Sequence, residues 1–148
     1  MRKNVVVKPL TPNALDPVAG IERVAGEARW SRAQFEKELS SQISRFFVLQ
    51  KGCNILGYGG YWKVDEEAQI TNLVISPAAR RRGMGRLLLK HLLERAAAEG
   101  CRAVTLEVRG RNQAAQALYQ KAGFAVQGRR PNVYTAPADD AVLMEKKL

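Results

Sequence analysis

The chain has 148 residues, 46% of them hydrophobic, and a formal net charge of +10 at neutral pH. That length suits one compact domain, residues 1 to 148, and no apolar run approaches the roughly 20 residues that cross a bilayer, so no membrane partner is expected. A basic field draws polyanions such as a phosphorylated cofactor, a ribosome surface or nucleic acid, but here most of the charge is scattered among acids, the pattern of a solvated face. Direct sequence-specific nucleic-acid binding is therefore not expected.

Met1-Arg2-Lys3-Asn4 leads straight into Val5-Val6-Val7 without the apolar region of a signal peptide, which predicts a cytoplasmic protein. Val5 to Leu10 reads as a first strand. Leu15, Val18, Ile21, Val24, Ala25 and Ala28 recur at three- and four-residue spacing and predict a helix over 14–28, with Pro17 near its start. Ser31 is placed to cap a second helix that runs to Ser40.

Phe46 to Leu49, the turn Lys51-Gly52-Cys53-Asn54 and Ile55 to Val64 form the pattern of a β-hairpin. Asp65-Glu66-Glu67 is the next turn, and Gln69 to Ser76 is a strand that stops at Pro77. After it come Arg80-Arg81-Arg82-Gly83-Met84-Gly85-Arg86 and a leucine-rich helix over 85–99, closed by Gly100. Ala103 to Val108 is a strand, Asn112 to Ala122 an alanine-rich helix ending at Gly123, and Phe124 to Arg130 and Ala141 to Met144 are final strands. Early hairpins followed by strand, helix, strand, helix, strand predict an α/β sheet with helices on both faces.

Cys53 and Cys101 lie far apart with neither zinc-site nor disulfide spacing, so both read as free thiols and no metal is expected. The only histidine, His91, falls in mid-helix and reads as structural. The basic glycine loop is the chemical signal. A strand, a glycine loop and a helix start present unpaired N–H groups and a partial positive charge to an anion, and glycine lets a phosphate approach the backbone closely. The loop lacks the Lys and Ser/Thr of a nucleotide-hydrolysing P-loop, and Leu88 stands where a dinucleotide fingerprint needs its third glycine.

Arg80-x-x-Gly83-x-Gly85, followed by Asn112-x-x-Ala115-x-x-Leu118-Tyr119-x-x-x-Gly123-Phe124, resembles the paired signature of the GNAT (Gcn5-related N-acetyltransferase) superfamily. Ile70 to Ile75, Leu106-Glu107-Val108-Arg109, Asp140 to Met144, Gly57 to Trp62 and Trp30-Ser31 are similar to the RimI-type ribosomal-protein-alanine N-acetyltransferases, so that the resemblance covers most of the chain. It implies a mixed, mostly antiparallel sheet splayed near its centre. It also implies acetyl-CoA as co-substrate, its pyrophosphate on Arg81, Arg82, Gly83, Met84, Gly85 and Arg86, its pantetheine beside Leu73, Val74 and Ile75, and Asn112 reaching it by a side-chain contact.

For the chemistry, the resemblance implies Glu107 as the base that deprotonates the attacking amine, directly or through water, and Tyr119 as the acid for the departing thiolate. The run of Ala, Val, Thr and Leu around Glu107 predicts an apolar setting, against a rival in which it pairs with Arg109 or Arg111. Tyr119 also fits the packed face of Ala115, Leu118 and Ala122. The resemblance also implies that Trp30 and Tyr134 fall in the segments that hold the acceptor, and that the acceptor is the N-terminal α-amine of a protein such as a ribosomal protein. Those segments depart from the family pattern: Arg29 precedes Trp30 where relatives often have proline, Val133 replaces the first of two tyrosines, and Gln69 stands where histidine is frequent. Two other readings stay open, an acetyltransferase of a small amine and a non-catalytic ribosome- or nucleic-acid-associated protein with the same fold.

Overall fold

The computed structural model describes residues 4–148; Met1 to Lys3, read above as the lead-in to the first strand, lie outside the described residues. The strands are β1 (Val5–Pro9), β2 (Ser44–Lys51), β3 (Asn54–Val64), β4 (Glu67–Ile75), β5 (Ala103–Arg109), β6 (Ala125–Thr135) and β7 (Ala138–Lys147). The helices are α1 (Leu15–Ala25), α2 (Arg32–Ser40), α3 (Met84–Ala98) and α4 (Gln113–Lys121). Side chains supply two of the helix starts. Ser31 Oγ accepts the Gln34 N–H at 3.2 Å, and Asn112 Oδ1 accepts that of Ala115 at 3.1 Å.

The strands form one sheet in the order β1-β2-β3-β4-β5-β7-β6, antiparallel throughout except between β4 and β5. On one face Leu15, Val18 and Phe35 of α1 and α2 pack on Phe46, Val48 and Tyr58. On the other, Leu89, Leu92 and Ala96 of α3 and Tyr119 of α4 pack on Ala68, Ile70, Val104, Leu106 and Val142. The two-faced α/β arrangement read from the sequence is therefore present.

The parallel pairing of β4 with β5 is short. It joins Glu67, Ala68 and Gln69 to Ala103, Val104 and Thr105 and goes no further. Beyond it β4 stays with β3, β5 stays with β7, and a register irregularity at Gly60/Tyr61 gives β4 an extra residue, Thr71, between Ile70 and Asn72. Such a bulge bends and twists a strand, here at the place where the sheet opens. The backbone edges of Ile70 to Ile75 and of Leu106 to Arg109 are left facing a gap.

Several boundaries differ from the sequence reading. The first helix ends at Ala25, because Gly26 turns to an extended ψ of 141°. The last two strands run longer than expected, β6 passing through Pro131 to Thr135. Proline is tolerated there because β6 is an outer strand of the sheet and its pairing is irregular between Arg130 and Tyr134.

Candidate active site

A groove of about 1080 Å³ occupies the gap. Its lining includes Leu73, Val74 and Ile75 of β4, Arg81, Gly83, Met84, Gly85 and Arg86 at the start of α3, Glu107 of β5, Asn112 and Tyr119 of α4, and Trp30 and Tyr134. Of the residues assigned to the site from sequence only Arg82 lies outside this lining, and Arg80, not assigned a role, lies within it.

One end of the groove is the entry to α3. Gly83 stands before the helix at φ 77° and provides no side-chain cap, so the first-turn N–H groups have no side-chain acceptor from that position. A positive φ costs an L-residue about 1–2 kcal/mol, which explains glycine there. Arg81 takes a similar φ of 64° without being glycine. Arg81, Arg82 and Arg86 are exposed and enter none of the ion pairs among the described residues. Free N–H groups with unpaired guanidinium charge around them form a cradle for a multiply charged phosphate.

The other end carries the titratable groups. Along β5 the alternation buries Val104, Leu106 and Val108 in the α3 core and leaves Glu107 and Arg109 half-buried on the opposite face. The apolar setting expected for Glu107 is not what surrounds it, and neither Arg109 nor Arg111 is its partner. Arg130 of β6 reaches it at 3.0 Å, because β7 brings the β6 arginines alongside β5. Arg109 pairs instead with Glu27 at 2.9 Å, and the Arg111 N–H donates to Asp139 at 3.0 Å.

Tyr119 is 6% exposed and lies edge-on to Phe124, with ring centroids 5.6 Å apart, so it packs as its helical spacing suggested while still lining the groove. Burial, and then the nearby Glu27 carboxylate, push its phenol well above the usual range. It therefore carries its proton across the neutral range. Being protonated there, it is not available as a base.

Contacts along the groove lining join the segment after α1 to β5, α4 and the β6–β7 hairpin. Glu27 accepts Asn112 Nδ2 at 2.7 Å and holds Arg109, whose guanidinium lies 4.2 Å from the Tyr134 ring centre and donates to the Pro137 carbonyl. Arg29 Nη2 donates to the Ala136 carbonyl at 2.9 Å. Arg29 sits at φ 56°, which proline, fixed near −65°, cannot reach, so the departure from the family pattern at this position changes the path of the backbone. Sequence reasoning missed Glu27 and Arg130. Glu27 and Arg130 are solvated-looking charges whose partners are set by distant strand register.

Trp30 is held from below. Its N–H donates to Glu22 at 3.0 Å, and the same carboxylate accepts the Tyr58 hydroxyl; Glu22 is 2% exposed. Its ring stacks on Trp62 at 6.4 Å and meets Phe35 at 5.4 Å, giving the groove an aromatic wall. His91 lies outside this site, edge-on to Phe47, and both cysteines are free thiols. No cluster of three or more metal-ligating side chains occurs among the described residues, and no helix among them is long and apolar enough to cross a membrane.

Residues 15–124 match the acetyltransferase (GNAT) family. A Bacillus subtilis protein, named provisionally as a ribosomal protein bS18-alanine N-acetyltransferase, is 33% identical over 145 residues, which are 97% of this chain and 96% of the relative. The crystal structure of the ribosomal-protein-S18-alanine N-acetyltransferase from Escherichia coli superposes with a TM-score of 0.89 at 30% identity, covering 97% of this chain and 93% of that one. A GNAT family acetyltransferase from Elizabethkingia anophelis, solved with acetyl-CoA bound, shares the fold at TM-score 0.81 and 19% identity, covering 99% of each chain.

Proposed function

Because the chain belongs to the acetyltransferase (GNAT) family and is an acyltransferase of that family, we propose that it moves an acetyl group from acetyl-CoA to the N-terminal α-amine of a protein, in the first instance a ribosomal protein. The observation that carries this reading is the parted pair β4 and β5, with a phosphate cradle at one end of the gap and a carboxylate and a protonated phenol lining it. In this reading residues 1–148 work as one acetyltransferase domain.

The pyrophosphate of acetyl-CoA rests on the backbone from Arg81 to Arg86, with Arg81, Arg82 and Arg86 supplying charge. Its pantetheine follows the free β4 edge along Leu73, Val74 and Ile75. The thioester is thereby delivered to the part of the gap that Glu107 and Tyr119 line.

An α-amine has a pKa near 8 and arrives partly protonated. Glu107 removes its proton, directly or through one water, and the nitrogen lone pair attacks the thioester carbonyl carbon. The tetrahedral adduct collapses: the C–S bond breaks, Tyr119 gives its proton to the leaving thiolate, and the nitrogen sheds its second proton to solvent, from which the Tyr119 phenolate is reprotonated. Arg130, 3.0 Å from Glu107, fixes the position of its carboxylate. Trp30 and Tyr134 bound the acceptor's side of the groove. The test is thiol release from acetyl-CoA with a panel of alanine-terminated peptides against small amines. Turnover confined to peptides supports this reading, and turnover confined to small amines replaces it.

A further inference from the structure

Asn72 is a buried polar side chain for which the fold provides nothing. It is 5% exposed, and both ends of its carboxamide, Oδ1 and Nδ2, are out of water and without a hydrogen-bond partner. Buried amides are nearly always paired, and an unpaired donor and acceptor together lower stability, so such a group in a groove wall calls for an explanation. Its position suggests one. Asn72 lies opposite Gly60, next to the bulged Thr71, just past Gln69 where β4 loses its pairing with β5. It lines the groove together with Trp30, Trp62 and Glu107. Leu73, Val74 and Ile75 follow it toward the α3 end, so Asn72 stands between that strip and the Trp30–Trp62 wall.

A carboxamide offers one acceptor oxygen and a donor nitrogen on one edge, the complement of the N–H and C=O that a single residue of an extended chain presents to one side. We propose that Asn72 is an acceptor-binding residue that grips the second residue of the incoming chain, Oδ1 accepting the N–H of the first peptide group and Nδ2 donating to the carbonyl oxygen of that same second residue. The cost of the unpaired amide in the free enzyme is then recovered on binding, and the residue distinguishes a peptide from a bare amine. This assignment rests on the peptide-acceptor reading above.

The test pairs a protein variant with a chemical change in the substrate. An alanine-terminated hexapeptide is compared with its analogue in which the first amide is replaced by an ester, which removes the N–H that Oδ1 would accept. Asn72→Leu keeps the branching but neither polar atom, and Asn72→Ala repeats the comparison should leucine not be accommodated. Expected are a loss of about tenfold or more in kcat/KM for the hexapeptide, mainly through KM, with the Kd of acetyl-CoA unchanged within twofold. The ester should weaken the wild-type enzyme several-fold and the Asn72 variants hardly at all. An equal ester penalty in wild type and variants, or a loss of acetyl-CoA affinity in place of peptide affinity, overturns the assignment and leaves the proposed reaction standing. A wild-type enzyme that acetylates no peptide overturns both.

Discussion

Replacing Glu22 tests how the aromatic wall at Trp30 is supported. Its buried carboxylate accepts the Tyr58 hydroxyl and the Trp30 N–H, and Glu22→Ala strands both donors. At about 1–3 kcal/mol for each stranded donor, the variant loses about 2–6 kcal/mol. For a chain of this size about 3 °C of thermal midpoint goes with each kcal/mol, so the midpoint falls by about 6–18 °C. Tyr58→Phe removes one donor and leaves the carboxylate on Trp30, and should lose less than half as much. Gly26 sharpens the test. Its φ of −78° and ψ of 141° suit any residue, but a Cβ there would overlap the Glu22 carboxylate, which Tyr58 and Trp30 hold in place. Gly26→Ala should therefore destabilise the wild-type chain by about 1–3 kcal/mol, in the range of overpacking. In the Glu22→Ala background it should instead stabilise by about 0.4–1 kcal/mol through the unfolded state. Scanning calorimetry on the four proteins measures the cycle. The same cost for Gly26→Ala in both backgrounds would refute the reasoning.

Other perturbations separate chemistry from binding. Glu107→Gln should lower kcat about 10²–10⁴-fold with acetyl-CoA affinity nearly intact, and Tyr119→Phe should lower it with little change in folding; calorimetric titration of cofactor beside steady-state rates checks both, and parallel loss of affinity would remove Glu107 from proton transfer. Gly83→Val forces a branched side chain onto a φ of 77° at the cradle and should raise the Kd of acetyl-CoA at least tenfold; an unchanged Kd would count against the loop as phosphate site. Burial, and then the charge of Arg95, lower the pKa of His91, so its proton is bound more readily in the unfolded chain. The stability that its neutral form contributes is complete above the unfolded value near 6.5 and is lost as pH falls toward the folded value. Urea midpoints should decline over that window in the wild type and decline less in His91→Leu; identical profiles would assign the decline to other groups.

Much of this architecture is legible in local sequence because local physics sets it. Ser31 and Asn112 mark helix starts through caps that act within three residues, and the glycine at 83 announces a backbone turn that few other residues make. The two motif blocks around Gly83 and Tyr119 also locate both ends of the groove. The opening between β4 and β5 is not local. It follows from a three-residue pairing and a bulge opposite Gly60, neither visible in the alternation of β4. Glu107 was legible as a carboxylate in a hydrophobic strand, but its partner Arg130 arrives through two strand registers. The contacts of Glu27 with Arg109 and Asn112 join residues far apart in the chain, and the unpaired state of Asn72 becomes visible only once its surroundings are packed. Pro131 misled in the other direction, since its usual meaning as a strand end does not hold on an outer strand.

The central claim is that acetyl moves from acetyl-CoA to a protein's N-terminal amine in the groove between β4 and β5. Mass spectrometry of an alanine-terminated peptide carrying an internal lysine, incubated with the enzyme and acetyl-CoA, tests it most directly. The account predicts one added acetyl group on the α-amine, abolished by Glu107→Gln. Acetyl on the lysine alone, or none on the peptide while a small amine is acetylated, would contradict it.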